Sequence, residues 1–225
     1  MLLLAVDTSS VQVSVAVAEV RGGDDVGALA ASDLVAANRH GELLAPLVRE
    51  AMAAAGVTVG DLDAVAAGLG PGPFTGLRVG IVTAAAMADA LGLPTYGACS
   101  LDAIALRHPA PLLVCSDARR KQVYWARYGA DGRRVEGPEL SAPADLAERC
   151  RGVVGRVAGG GAALYADVWH GYELREDAAY PHAIDIARVV APRLVTGAAA
   201  DVLEPMYLRR PDAVVPGAPK AVTPR

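Results

Sequence analysis

Leu2 to Val6 is a short run with no polar position, as a strand buried on both faces reads. Asp7-Thr8-Ser9-Ser10 follows, four residues of turn chemistry. From Val11 to Val17 a valine occupies every odd position, the alternation of a half-buried strand. The two runs predict a hairpin closed by the DTSS turn. Arg21 to Gly27 is polar and glycine-rich and reads as the next turn, and Leu29 to Ala37 supplies a third strand. The period then changes. Over Gly41 to Gly56, Leu44, Leu47, Val48, Ala51, Met52 and Ala55 recur at three and four residues, which predicts a helix. Pro46 belongs in its first turn or at a kink, and Gly56 suits the position just past its end.

Asp63 to Leu69 reads as a small apolar strand, Gly70-Pro71-Gly72-Pro73 as a rigid loop, and Thr75 to Leu91 as a second helix stopped by Gly92 and Pro94. Gly76, Gly80 and Ala84 lie four apart on one face of that helix. Glycine inside a helix costs about 1 kcal/mol relative to alanine, so two of them point to a packing requirement. The close approach is either to the helix's own sheet or to a helix of another chain. Ser100 is the expected N-cap of a helix over Leu101 to Arg107. Leu112 to Cys115 and Val123 to Tyr128 read as strands on either side of Asp117 to Lys121. Strand–turn–strand therefore recurs, which points to two related halves. Val153 to Val157, the glycines 159–161 and Ala162 to Val168 read as strand, loop and helix. His182 to Leu194 is an amphipathic helix, Met206 to Leu208 a last strand, and Pro211 to Arg225 a flexible tail.

The 225 residues suit one large domain or two small ones, and 53% hydrophobic against 20% charged residues describes a globular chain. Phe74 is the single phenylalanine, so the core is aliphatic. No basic segment precedes the first apolar run and Asp7 ends it early, so no signal peptide is expected. No uninterrupted apolar run reaches about 18 residues, so no membrane span is expected. Three cysteines without a CxxC fit a reducing cytoplasm. The histidines offer no HxxxH or HExxH metal pair. Residues 1–100 carry a net −6 and residues 101–225 a net +2. Arg107 to Arg134 holds seven bases against Asp117 and Asp131. It is either a solvated face or a patch for an anionic partner, and no aromatic stacking platform is evident beside it in sequence.

Asp7 in the first tight turn either holds a hydrated magnesium ion beside phosphates or caps amides of its own turn. Thr8 and Ser9 are the candidate phosphate donors with it. Gly159-Gly160-Gly161 is either a nucleotide-facing loop or a connector. No P-loop and no GxGxxG is present. His40, alone at a helix start, reads as a cap, a surface group or a ligand.

Gly68-Leu69-Gly70-Pro71-Gly72-Pro73-Phe74-Thr75-Gly76-Leu77-Arg78-Val79-Gly80 closely resembles the GPGSFTGLRIG signature of the TsaB (YeaZ) family. Four further segments match in order. They are Leu4 to Ser9, His40 ahead of Leu43 to Met52, Asp117-Ala118-Arg119 followed by Val123-Tyr124, and Glu204 to Arg209. Pro73 stands where serine is usual. The resemblance spans residues 2 to about 210. It implies an α/β fold of two lobes, the actin-like, sugar-kinase-like (ribonuclease H-like) ATPase fold. The lobes are then expected over 1–99 and 100–210, with the tail over 211–225.

The resemblance also implies a role as the non-catalytic dimerisation subunit of bacterial tRNA threonylcarbamoyladenosine synthesis. In that machinery a related subunit, TsaD, transfers threonylcarbamoyl to the adenosine beside the anticodon, and an ATPase, TsaE, joins. TsaD-like subunits carry an HxxxH pair, but here His40 is followed four residues on by Leu44. ATPases of this fold have DxGxT in the first turn, but here Ser9 replaces the glycine. Asp7, Thr8 and Ser9 are therefore expected as a vestigial phosphate turn, without metal or resident cofactor, nucleotide being confined to a subunit boundary. An ATP-dependent small-molecule kinase and a glycoprotease-like peptidase are the enzyme alternatives. The expected partner interface combines His40, Leu43, Leu44, Leu47, Val48 and Met52 with Thr75, Gly76, Leu77, Gly80, Ile81, Ala84 and Met87. It would bind TsaD, or a second copy in its absence, with tRNA reached through the complex and no membrane involved. On this view Gly80→Leu weakens pairing by overpacking.

Overall fold

The computed structural model describes residues 1–175 and 177–209, and the tail expected from Pro211 lies outside them. Two five-stranded sheets of identical topology make up the two lobes. The first contains β1 (Leu2–Asp7), β2 (Gln12–Val20), β3 (Val26–Val35), β4 (Ala64–Gly68) and β5 (Thr95–Ala98) in the order β3-β2-β1-β4-β5. The second contains β6 (Leu112–Asp117), β7 (Val123–Tyr128), β8 (Arg134–Ser141), β9 (Arg156–Ala158) and β10 (Glu173–Arg175) in the order β8-β7-β6-β9-β10. In both, the first three strands are antiparallel and the remaining two run parallel to the first. Helices fall at the same places in each half. α1 (His40–Ala55) and α4 (Pro143–Cys150) follow the third strand. α2 (Phe74–Leu91) and α5 (Gly160–Leu164) follow the fourth, and α3 (Ser100–Ala105) and α6 (Ala183–Val195) follow the fifth. This is the two-lobed actin-like architecture.

The last helix of each half is exchanged. α3 packs on the second sheet, with Leu101 and Ile104 against Leu112, Val114 and Ala126. α6 crosses back to the first, where Ala183, Ala187, Val190 and Ala191 meet Leu3, Ala5, Ala16 and Ala66. The segment after it also returns: Asp201 N–H donates to Thr95 O and Met206 N–H to Leu69 O, both at 2.8 Å. Met206 to Leu208 forms no strand.

β2 shows why its alternation reads as half-buried. Val13, Val15 and Val17 face α1 and α2, whereas Ala16, Ala18 and Val20 face α6. The small even-numbered positions are thus a second packed face, and all of Gln12–Val20 except Glu19 is buried. Other boundaries also differ. Pro46 lies in the second turn of α1. Cys99, not Ser100, occupies the N-cap of α3, and Ser100 becomes the first helical residue. α2 reaches the length and mean hydropathy (1.3) of a membrane span because its valines, alanines and isoleucine outweigh Arg78 and Asp89. In this fold it packs on β4 and α1.

Candidate functional site

The turns that follow β1 and β6 face each other across the cleft between the lobes. Both open on an aspartate and reach a glutamine five residues on: Asp7 to Gln12, and Asp117 to Gln122. In both, one carboxylate oxygen accepts the amide of the residue two further along, at 2.8 Å.

The first turn is closed on itself. Asp7 is 1% exposed. Its Oδ1 accepts the Ser9 amide and the Ser9 hydroxyl, each at 2.8 Å, and its Oδ2 accepts the Ser100 hydroxyl at 2.6 Å. Burial pushes its pKa above the usual carboxylate value, against the opposing pull of those donors. The Thr8 hydroxyl donates to Gly76 O at 2.8 Å and accepts Gly80 N–H at 2.9 Å. His40 Nε2 lies 2.7 Å from Ser10 O and holds the far end of the turn. The Gly70-to-Pro73 loop lies on top: a Cβ at Gly72 would overlap the Ser9 carbonyl, and one at Gly68 the Asp7 carboxylate. The three candidate phosphate residues are thus brought together, and each is satisfied by its own chain. Ser100, expected only as a helix cap, supplies the donor that completes Asp7.

The second turn is open. Arg119, Arg120 and Lys121 are exposed and consecutive at positive φ (61°, 53° and 58°), a conformation costing each side chain about 1 kcal/mol. Neither Arg119 nor Lys121 has an ion-pair partner among the described residues. Three cavities meet here, all bordered by Pro73 and Arg119. One of about 230 Å³ runs between the turns, past Ser9, Ser100, Ser116 and Tyr180. The buried Ser116 hydroxyl in its wall has no hydrogen-bond partner among the described residues. One of about 420 Å³ is lined by Arg119, Arg120 and Arg209 and by Phe74 and Tyr207. A third, of about 360 Å³, continues along Asn38, His40, Thr75 and Val79. Phe74 and Tyr207 stack at 5.1 Å, and the Arg78 guanidinium lies 3.7 Å from the Phe74 centroid and donates to Tyr207 Oη at 2.6 Å. Among the described residues, no three His, Cys, Asp or Glu side chains gather as a metal site.

The residues expected at a partner interface divide. Leu44, Leu47, Val48, Met52, Leu77, Ile81 and Ala84 are at most 7% exposed, most of them in the core under the first sheet. Gly76 and Gly80 face the first turn, and a Cβ on Gly80 would lie 2.5 Å from Thr8 Oγ1. Gly80→Leu therefore drives a side chain into Thr8 and tests folding of the turn, which corrects the expectation that it reports on pairing. Thr75 is exposed, and Leu43 and Met87 are half-buried. The outward face of the α1–α2 pair also presents Val82, 62% exposed. An apolar groove of about 600 Å³ bordered by Val48, Met52, Val57, Val59 and Met87 lies beside it. The sequence pattern did not nominate Val82 or Val59, because periodicity selects buried positions.

Comparison with known proteins follows the same lines. The family described as TsaD, tRNA N6-adenosine threonylcarbamoyltransferase, matches residues 34–158. An uncharacterized protein of Mycobacterium tuberculosis is 44% identical over 213 residues, covering 94% of this chain and 93% of that one. The tRNA threonylcarbamoyladenosine biosynthesis protein TsaB of Escherichia coli is 30% identical over 225 residues, covering 93% and 95%. The solved structure of YeaZ from Pseudomonas aeruginosa superposes with a TM-score of 0.76 at 29% identity, covering 92% and 99%.

Proposed function

This chain belongs to the TsaB (YeaZ) family, within the wider threonylcarbamoyltransferase family, and from that membership we propose that it is a non-catalytic subunit of tRNA threonylcarbamoyladenosine synthesis. The observation that carries the non-catalytic reading is the closed first turn. A nucleotide-cleaving member of this fold needs free donors and a glycine where the phosphates enter. Here Asp7 and Thr8 are saturated by Ser9, Ser100, Gly76 and Gly80, and Gly72 lies against Ser9. The kinase alternative lacks that phosphate cradle, and the peptidase alternative lacks a metal pair, since Leu44 stands four residues after His40.

The subunit pairs with a TsaD paralogue in the cytoplasm, with the TsaE ATPase joining the assembly. A second copy takes the same surface when TsaD is absent. The pairing surface is the outward face of α1 and α2, where Val82, Thr75, Met87 and the groove beside Met52 leave apolar area uncovered. The test is molar mass by light scattering, for the chain alone and mixed with its TsaD paralogue. A dimer that converts to a one-to-one heterodimer is expected. Val82→Glu, on an exposed position, should weaken pairing at least tenfold without changing the melting temperature. A chain that ignores TsaD overturns the scaffold reading. An ATP dissociation constant in the low micromolar range for the chain alone overturns the non-catalytic one.

A further inference from the structure

The basic segment has no aromatic neighbour in sequence, but the fold supplies one. Arg119, Arg120 and Arg209 line the 420 Å³ cavity together with the stacked rings of Phe74 and Tyr207. The rings remain 44% and 42% exposed. Phe74 comes from the start of α2, Tyr207 from the returning C-terminal segment, and the cations from the β6–β7 turn. Arg209 is in turn fixed by its hydrogen bond to Gln122 of that turn. Cations and exposed aromatic rings lining one cleft are the recognition pattern of single-stranded nucleic acid, in which phosphates track the charges and bases stack on the rings.

We infer that this cleft mouth binds a single-stranded segment of RNA, with its phosphates on Arg119, Arg120 and Arg209 and a base against the Phe74–Tyr207 pair. One feature favours a strand over a free nucleotide: a second cavity, of about 360 Å³, shares Pro73, Phe74 and Arg119 with this one and extends to Thr75 and Val79, so the lined surface is longer than one nucleotide unit requires. Arg119 and Arg120, both at positive φ, line the cavity. The inference rests on the reading above only in taking RNA as the polymer. It adds that this subunit touches the RNA itself.

The test is fluorescence anisotropy of the full chain with a labelled unstructured RNA twelve-mer, repeated across potassium chloride concentrations. Arg119→Asn with Arg120→Asn removes two charges, and asparagine accepts a positive φ, so the turn is kept. That variant should bind at least tenfold more weakly at low salt, with a log–log salt slope shallower by about 1.4. Tyr207→Ala should weaken binding about fivefold or more and leave the slope unchanged. Circular dichroism melting checks that both variants are folded. The inference fails if the wild type does not bind, or if both variants bind as the wild type does. It also fails if ATP displaces the RNA at equal nucleotide concentration, which would mark a mononucleotide pocket. Displacement of RNA mole for mole by the TsaD paralogue would make the cleft part of the protein interface and overturns it as well. Because the chain is tested alone, loss of RNA binding leaves the pairing experiment untouched, so the two readings fail separately.

Discussion

The two lobes carry the same strand–turn–strand element and use it in opposite ways. In the first lobe the turn after β1 is a keystone: Asp7, Thr8 and Ser9 are buried and each bonds within the chain. In the second lobe the turn after β6 is a surface: Arg119 to Lys121 are exposed in a left-handed run. The difference comes from the loop after the fourth strand. In the first lobe Gly72 presses on the Ser9 carbonyl, beyond the aspartate. In the second, Gly159 and Gly161 press on the backbone of Cys115 and Ser116, ahead of Asp117. The clamp thus falls on the turn in one lobe and on the strand in the other. Identical topology therefore leaves one turn locked and the other available, and fold alone does not say which.

The largest expected effect sets the two aspartates against each other. Asp7→Ala leaves the Ser9 amide and the Ser9 and Ser100 hydroxyls buried without an acceptor, at a cost of about 3 kcal/mol. Asp117→Ala removes one acceptor from a solvent-accessible turn and should cost under about 1 kcal/mol. Urea unfolding of both variants measures the difference, and equal losses would break the comparison.

Acid titration sharpens it next. Burial raises the Asp7 pKa in the folded state above its unfolded value of 3.8, so the folded protein binds that proton more tightly. Stability from this group is therefore fully present below 3.8 and is lost as pH rises through the folded value. The wild type should gain stability relative to Asp7→Asn as pH falls from neutral toward 4. Asp33 works in the other direction. The part of its side chain that is buried pushes its pKa up, but the His182 ring and the Ser14 hydroxyl beside it bring it below 3.8. Its contribution is present above 3.8 and is lost as pH falls through the lower folded value. Unfolding curves for both Asp→Asn variants from pH 7 to pH 3 should diverge in sign.

Much of this was legible in the sequence wherever an element is long enough to show a period. The β1–β2 hairpin, α1 and α2 fall close to where valine alternation and leucine spacing place them. The short strands β5 and β10 span four and three residues, at most two periods of a strand, too few to show an alternation. β8 is a polar edge strand whose exposed positions give no alternation. In the site, both aspartate turns were legible as turn chemistry. What fills them was not, because the Ser100–Asp7 and Phe74–Tyr207 contacts join residues far apart in the chain. Gly76 and Gly80 did signal a close approach, but the sequence could not say to what, and the answer is Thr8.

The smallest effect is the most discriminating, because it changes sign between the turns. Lys121 holds φ at 58°, where a Cβ costs about 1 kcal/mol or more. Glycine removes that cost and adds about half as much unfolded-state entropy. Lys121→Gly should therefore stabilise the protein by about 0.5 kcal/mol. No residue from Asp7 to Gln12 has a positive φ, so glycine relieves nothing there. Ser10→Gly also loses the hydroxyl that accepts the Gln12 amide at 3.1 Å, and should destabilise by about 1 kcal/mol. Thermal unfolding of the pair reads the two signs side by side. If both variants are destabilised alike, the left-handed run is not under strain, and the second turn is as settled in its conformation as the first.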